Sequence, residues 1–170
     1  LAEFIEKMNT IDNPAEKALV EFQTLLGQHN YRQIYDDKIR YIAAVTLDPK
    51  SADQLKQVLD QMQKIETAMA AADIRSKAGD YAGAWENLET VYRDFPDDSK
   101  LNDMRATLTT EAPDFVHTIR NAEDLEKKDE LGSSLAWYLK AQKIYPSSEF
   151  AHEGIDRLAK KIMPTDEPEG

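Results

Sequence analysis

The side chains in this 170-residue chain best placed to move protons or bind a metal near neutral pH are His29, His117 and His152. Each stands alone. None has a second histidine at metal-ligand spacing, and the carboxylates that share a helical face with them complete no known ligand pattern, so they read as surface or half-buried histidines. The acidic doublets Asp36-Asp37, Asp97-Asp98 and Asp129-Glu130 could in principle share a proton as a general acid and base. They fall at expected helix starts and turns, where a carboxylate caps backbone amides and meets the positive end of the helix dipole. The chain has no HExxH pair, no phosphate-binding glycine loop, no GxSxG elbow and no calcium loop of the EF-hand type. It has no cysteine, which removes disulfides, thiolate metal sites and a cysteine nucleophile. This reading assigns no catalytic residue, no metal ligand and no cofactor, and expects a protein that is not an enzyme.

Charge narrows the partners. The net charge of −11 is spread evenly along the chain, and no basic block exists to neutralise phosphates, so nucleic acid is disfavoured. Hydrophobic residues make up 41% and charged residues 31%, an ordinary globular balance. No apolar run approaches the roughly eighteen residues a membrane span needs. The first residues, LAEFIEKM, already form an amphipathic pattern rather than a signal peptide. Opening on Leu1, the chain is expected to be a trimmed piece, and both a cytoplasmic and a periplasmic or envelope location stay open.

Positioning comes from helices. Residues 77–96, KAGDYAGAWENLETVYRDFP, join a sharp Gly79-Asp80 turn to an apolar stripe at Tyr81, Ala84, Trp85, Leu88, Val91, Tyr92 and Phe95, the spacing of one helical face. Pro96 stops that helix. Residues 128–146 repeat the pattern, with Leu131 matching Tyr81, Ser134 matching Ala84, Leu135 matching Trp85, Tyr138 matching Leu88 and Pro146 matching Pro96. This order of Gly, polar residue, Tyr, small residue, bulky apolar residue and a closing proline resembles the second half of a tetratricopeptide (TPR) repeat. The resemblance implies an all-α, TPR-like α-solenoid of antiparallel helix pairs. Some helices here are unusually long for the family, and the stopping prolines Pro49, Pro96 and Pro146 are not evenly spaced at the family's period.

Around these copies the spacing predicts a short helix over 1–8 and a helix from Asn13-Pro14 to about Gly27. One helix is expected over 31–47, with Tyr31, Ile34, Tyr35, Ile39, Ile42 and Val45 forming a broad apolar stripe. Another, over 51–78, is opened by a Ser51/Gln54 capping box and buries a stripe that includes Met69 and Ile74. A third unit starts at Asp98 or Ser99 and breaks near Ala112 before Pro113. A final helix opened by Ser147, Ser148 and Glu149 caps the array, and 164–170 reads as a disordered acidic tail. The expected layout is thus one repeat domain over 1–163: a degenerate unit (1–48), two repeats (49–96 and 97–146) and the capping helix (147–163).

In the TPR family the groove is lined mainly by the first helix of each pair. The resemblance therefore implies groove positions at Glu66, Met69, Asp73, Ser76 and Lys77, and at Val116, Ile119, Glu123, Glu126 and Lys127. Some members clamp a terminal carboxylate with Lys, Asn and Arg there; Met69, Asp73, Ile119 and Glu123 occupy those places here, so that clamp is missing. The groove implied would take a protein or peptide with apolar anchors and basic flanks. Trp137 falls off the Leu131, Leu135, Tyr138 stripe, which makes it either an interface anchor or a residue packed on a neighbouring helix. A structural part of a larger assembly, packed on neighbours or forming a homo-oligomer, is the competing reading. The register has a direct consequence. Ala84→Leu should overpack a close helix contact and destabilise the protein by about 1–3 kcal/mol, read as a lower melting temperature; an unchanged one would refute the register.

Overall fold

The computed structural model describes residues 13–163, and among them the chain is helical with no strand. The helices expected over 1–8 and the tail over 164–170 lie outside the described residues. In chain order the helices are α1 (Pro14–Gly27), α2 (Tyr31–Asp36), α3 (Lys38–Ala44), α4 (Pro49–Lys77), α5 (Tyr81–Tyr92), α6 (Ser99–Glu111), α7 (Pro113–Lys127), α8 (Leu131–Ile144) and α9 (Glu149–Ile162), with a 3₁₀ turn at Val45–Leu47. The chain divides into two compact units, Leu1–Glu66 and Thr67–Gly170, and the division falls inside α4.

One turn recurs three times. His29, Gly79 and Asp129, each 50 positions after the last, hold the left-handed backbone conformation, with φ of 56°, 82° and 61°. At each, the next amide bonds to a carbonyl five residues back: Asn30 to Leu25, Asp80 to Arg75 and Glu130 to Leu125, all at 2.9 Å. The left-handed residue itself bonds three back, to Leu26, Ser76 and Glu126. This is the Schellman closure, which satisfies the orphan carbonyls at a helix end and turns the chain sharply. Glycine adopts the conformation without strain, whereas His29 and Asp129 hold it despite a Cβ.

The helix starts recur with the same period. Asp98 and Ser148 cap α6 and α9 by accepting the Leu101 and Ala151 amides at 3.0 Å. Asp48, another 50 positions earlier, opens α4 and accepts from the Lys50 amide at 3.3 Å. Each copy therefore holds three helical segments: one before the turn, one after it (split into α2 and α3 in the first copy), and one after the Asp or Ser cap. Helix α4 merges two of these elements. Its residues 49–61 match Ser99–Glu111 and its residues 63–77 match Pro113–Lys127. In the last copy Pro113 lacks an amide proton and splits them; Gln63 stands at the matching place, keeps its donor, and the helix runs on for 29 residues. That merger explains the long helix.

Three expectations need correction. The helix expected over 31–47 breaks at Asp37 (φ −102°, ψ 18°), and the break rotates the face that follows. Tyr41, Ala44 and Val45 are buried, while Ile39 and Ile42 are 84% and 49% exposed. The start of α4 is not a Ser51/Gln54 capping box but Asp48-Pro49. Ser51 is fully buried, donates to Asp48 Oδ2 at 2.6 Å and accepts from Gln23 of α1 at 2.6 Å. Ile74, expected inside, is exposed.

In the second unit α5 packs on α6, α7 on α8 and α8 on α9. Contacts between α7 and α8 run from Phe115–Tyr145 at the far end through His117–Trp137 to Ala122–Ser134 near the turn, so the two helices are antiparallel. Trp85 is fully buried and meets the edges of Phe115 and Phe150 at 6.0 and 5.9 Å. Beside it Ala84 has no exposed surface, and Gly154 lies against the Tyr138 ring with no room for a Cβ. Glu86, also buried, reaches the start of α9, where it accepts from the Ser148 hydroxyl and from the Glu149 and Phe150 amides at 3.2 and 3.4 Å. Burial nevertheless raises its pKa, against the lowering effect of those bonds. In the first unit Phe22 and Tyr41 pack at 5.9 Å between α1 and α3. The recurring turn makes a specific demand. Asp129→Gly should remove the left-handed penalty and stabilise the protein by about 0.5–1 kcal/mol in denaturant unfolding; a loss of stability would mean that the Asp129 side chain, not its backbone, holds the turn.

Candidate functional site

The last turns of α7 meet α8 and α9 around a cleft of about 550 Å³ lined by Arg93, Glu123, Glu126, Lys127, Tyr138 and Arg157. Helical spacing brings Glu123, Glu126 and Lys127 to one face of α7, as i, i+3 and i+4. Arg93 reaches in from the end of α5, Tyr138 from the middle of α8 and Arg157 from α9.

Glu126 is the hub. Arg157 donates to it in a two-pronged pair, Nε to Oε1 at 2.6 Å and Nη2 to Oε2 at 2.8 Å, and the Tyr138 hydroxyl donates to Oε2 at 3.0 Å. Lys161 adds its charge at 3.8 Å. The Arg157 hydrogen bonds hold the Glu126 carboxyl below the usual glutamate range, outweighing the opposing effect of burial, with the Tyr138 bond adding to them. Burial, then the bond to Glu126, pushes the Tyr138 phenol well up. Glu123 moves the other way: burial raises it even though Arg93 sits 3.1 Å from Oε1. Two carboxylates that titrate in opposite directions can divide acid and base roles. Here each is already engaged by a guanidinium, so the cleft presents paired charges.

The same is true of every acid the TPR resemblance placed in a groove. Glu66 pairs with Arg32 in the first unit, and Asp73 pairs with Lys77 one turn along α4 at 2.5 Å. Val116 and Ile119 are 1% and 0% exposed and belong to the core, so they are not open to a ligand. Helix α7 is flanked by α6 and α8, and positions 115, 116, 118, 119 and 122 are all buried, a broader face than a single stripe. Met69 and Ser76 are half-buried and Lys77 is exposed. Trp137 is half-buried on the outside of α8, edge-on to His117 at 6.2 Å and beneath the Lys140 ammonium at 4.7 Å. His117 also meets Asn121 at 3.0 Å, and His29 Nδ1 meets the Tyr31 hydroxyl at 2.9 Å.

Of the groove residues expected, the structure brings together Glu123, Glu126 and Lys127. Sequence reasoning missed Arg93, Tyr138 and Arg157. One signal was available for Tyr138: it stands where the previous copy has Leu88, and a hydroxyl at a core position implies a polar partner. Among the described residues no three His, Asp or Glu side chains converge as metal ligands, and no helix is long and apolar enough to cross a membrane. No family model matches the chain, and neither a curated protein nor a solved structure does.

The Glu126 network fixes a pH response. A carboxyl whose pKa is lowered by folding contributes stability above its unfolded value, lost as pH falls through the folded one. Glu126→Gln should cost about 1 kcal/mol at pH 7, after allowance for solvent screening. The gap from the unsubstituted chain should close as pH drops below 4.5, the ordinary value for this group. A gap of constant size across that range would show that Glu126 acts by packing alone.

Proposed function

We propose that this chain is a non-enzymatic protein-interaction module, built as a TPR-like α-solenoid of antiparallel helix pairs, that binds a partner protein or peptide on the charged face of α7, α8 and α9. The observation that carries the reading is the cleft around Glu126: an open concavity on a rigidly packed helical frame, with acids, cations and a phenol presented together. The threefold recurrence of the turn supports the solenoid, because stacked helical units bury a continuous core while leaving an extended surface for ligands. Because Glu123 and Glu126 are paired internally, a basic partner group must compete with Arg93 or Arg157. Such exchange favours specificity and salt dependence over tight binding.

The test is a retention experiment with the whole chain as bait, beside Glu123→Gln/Glu126→Gln bait shown by circular dichroism to be folded. A protein held by the first, lost from the second and eluted by raised salt supports the module. Retention that ignores both the substitutions and salt removes the cleft from the account. If nothing is retained, the alternative leads, a structural part of a larger assembly that packs on its neighbours or on itself.

A further inference from the structure

The third copy ends on a face that the second copy has covered. In the second copy α5 and α6 are overlaid by α7: Phe115 meets Trp85, and Glu123 pairs with Arg93. Beside that seat Glu89 and Arg105 form a two-pronged pair whose side chains are only 12% and 14% exposed, and Glu89 acts electrostatically on Glu123. Fifty residues on, α8 and α9 replace α5 and α6. Leu135 stands for Trp85 and Lys143 for Arg93, and the Glu89–Arg105 pair becomes Leu139 and Ile155. The face has turned apolar at the place where it is open: Leu139 is 43% and Ile162 is 42% exposed. Of the cations on α8 and α9, Arg157 and Lys161 are held by Glu126 and Lys140 lies over the Trp137 ring, so the charge this face keeps from the second copy is Lys143 at the place of Arg93.

We propose that the outer face of α8 and α9 receives an acidic amphipathic helix from a partner protein, seated as α7 is seated on α5 and α6. The occupant is defined by the helix it imitates. It needs a bulky apolar residue for the Leu135 end and, two turns later, a carboxylate for Lys143, the spacing of Phe115 and Glu123. Leu139 and Ile155 take aliphatic contacts where the second copy buries an ion pair. This surface is separate from the Glu126 cleft, so either can fail while the other stands.

The probe is a fluorescein-labelled peptide of residues 113–127, PDFVHTIRNAEDLEK, titrated into the whole chain and followed by anisotropy. Saturable binding is expected. Leu139→Glu and Ile162→Glu should each weaken it at least tenfold, and Lys143→Glu should weaken it and reduce its salt dependence. Both apolar positions are exposed, so their variants should keep the native circular dichroism; Lys143→Glu, on an exposed cation, gives a second reading that does not depend on them. Absence of binding, or binding indifferent to all three substitutions, overturns the proposal. So does concentration-dependent dimerisation in sedimentation that Leu139→Glu abolishes, because the occupant would then be a second copy of this chain.

Discussion

A backbone conformation, rather than a side chain, carries the architecture. The left-handed residue at His29, Gly79 and Asp129 lets two amides reach back to carbonyls of the helix just ended, so the chain reverses without leaving polar groups orphaned. Once the turn is set, the residue five positions after it must face the preceding helix: Ile34, Ala84 and Ser134 are all buried. The volume at that position varies while its burial does not. Ala84 lies beside the large Trp85, whereas Ser134 sends its hydroxyl to the Ala122 carbonyl at 2.7 Å and so meets the cost of burying a polar atom at a close crossing. Geometry repeats here more faithfully than chemistry.

A buried carboxyl joins the second and third copies beside the Trp85 ring contacts. Glu86 supplies acceptors to the start of α9, doing from another helix what a capping side chain does from within. Its three donors and the helix dipole favour the carboxylate, yet burial has the larger effect and raises its pKa. Its acceptors meet the first donors of α9, which ties the start of that helix to α5. The neighbouring Glu89–Arg105 pair follows the same logic, with Arg105 also stacked 3.4 Å from the Tyr92 ring centre.

Much of the fold was legible because local rules act within a few residues. Asn13-Pro14 and Pro113 open helices where capping chemistry says they should open, and the structure settles on Asp98 within the Asp98-Ser99 start and on Ser148 within the 147–149 start. The period was harder to see. Proline spacing misled, since Pro49 follows its cap while Pro96 and Pro146 precede theirs by two residues; the caps Asp48, Asp98 and Ser148 carry the true interval. The break at Asp37 was hidden because an apolar stripe over 31–47 fits one helix as well as two short ones. Burial on α7 escaped for a different reason. Periodicity shows which residues share a face but not how many neighbours that face meets, and Val116 and Ile119 are covered because α7 is flanked on more than one side.

The acids show the same limit from the side of function. A sequence shows Glu66, Asp73, Glu123 and Glu126 as negative charges at helical spacing, and a surplus of such charge suggests a groove for cations. Tertiary structure gives each of the four a cation of its own, from as near as one turn away to as far as another helix. Paired charges of this kind contribute little as a general field and much as a template, because a partner that displaces one member must replace its hydrogen bonds in kind. Net charge therefore says less about what this protein meets than the few places where the pairing stops, and at the outer face of α8 and α9 the buried ion pair of the second copy gives way to Leu139 and Ile155.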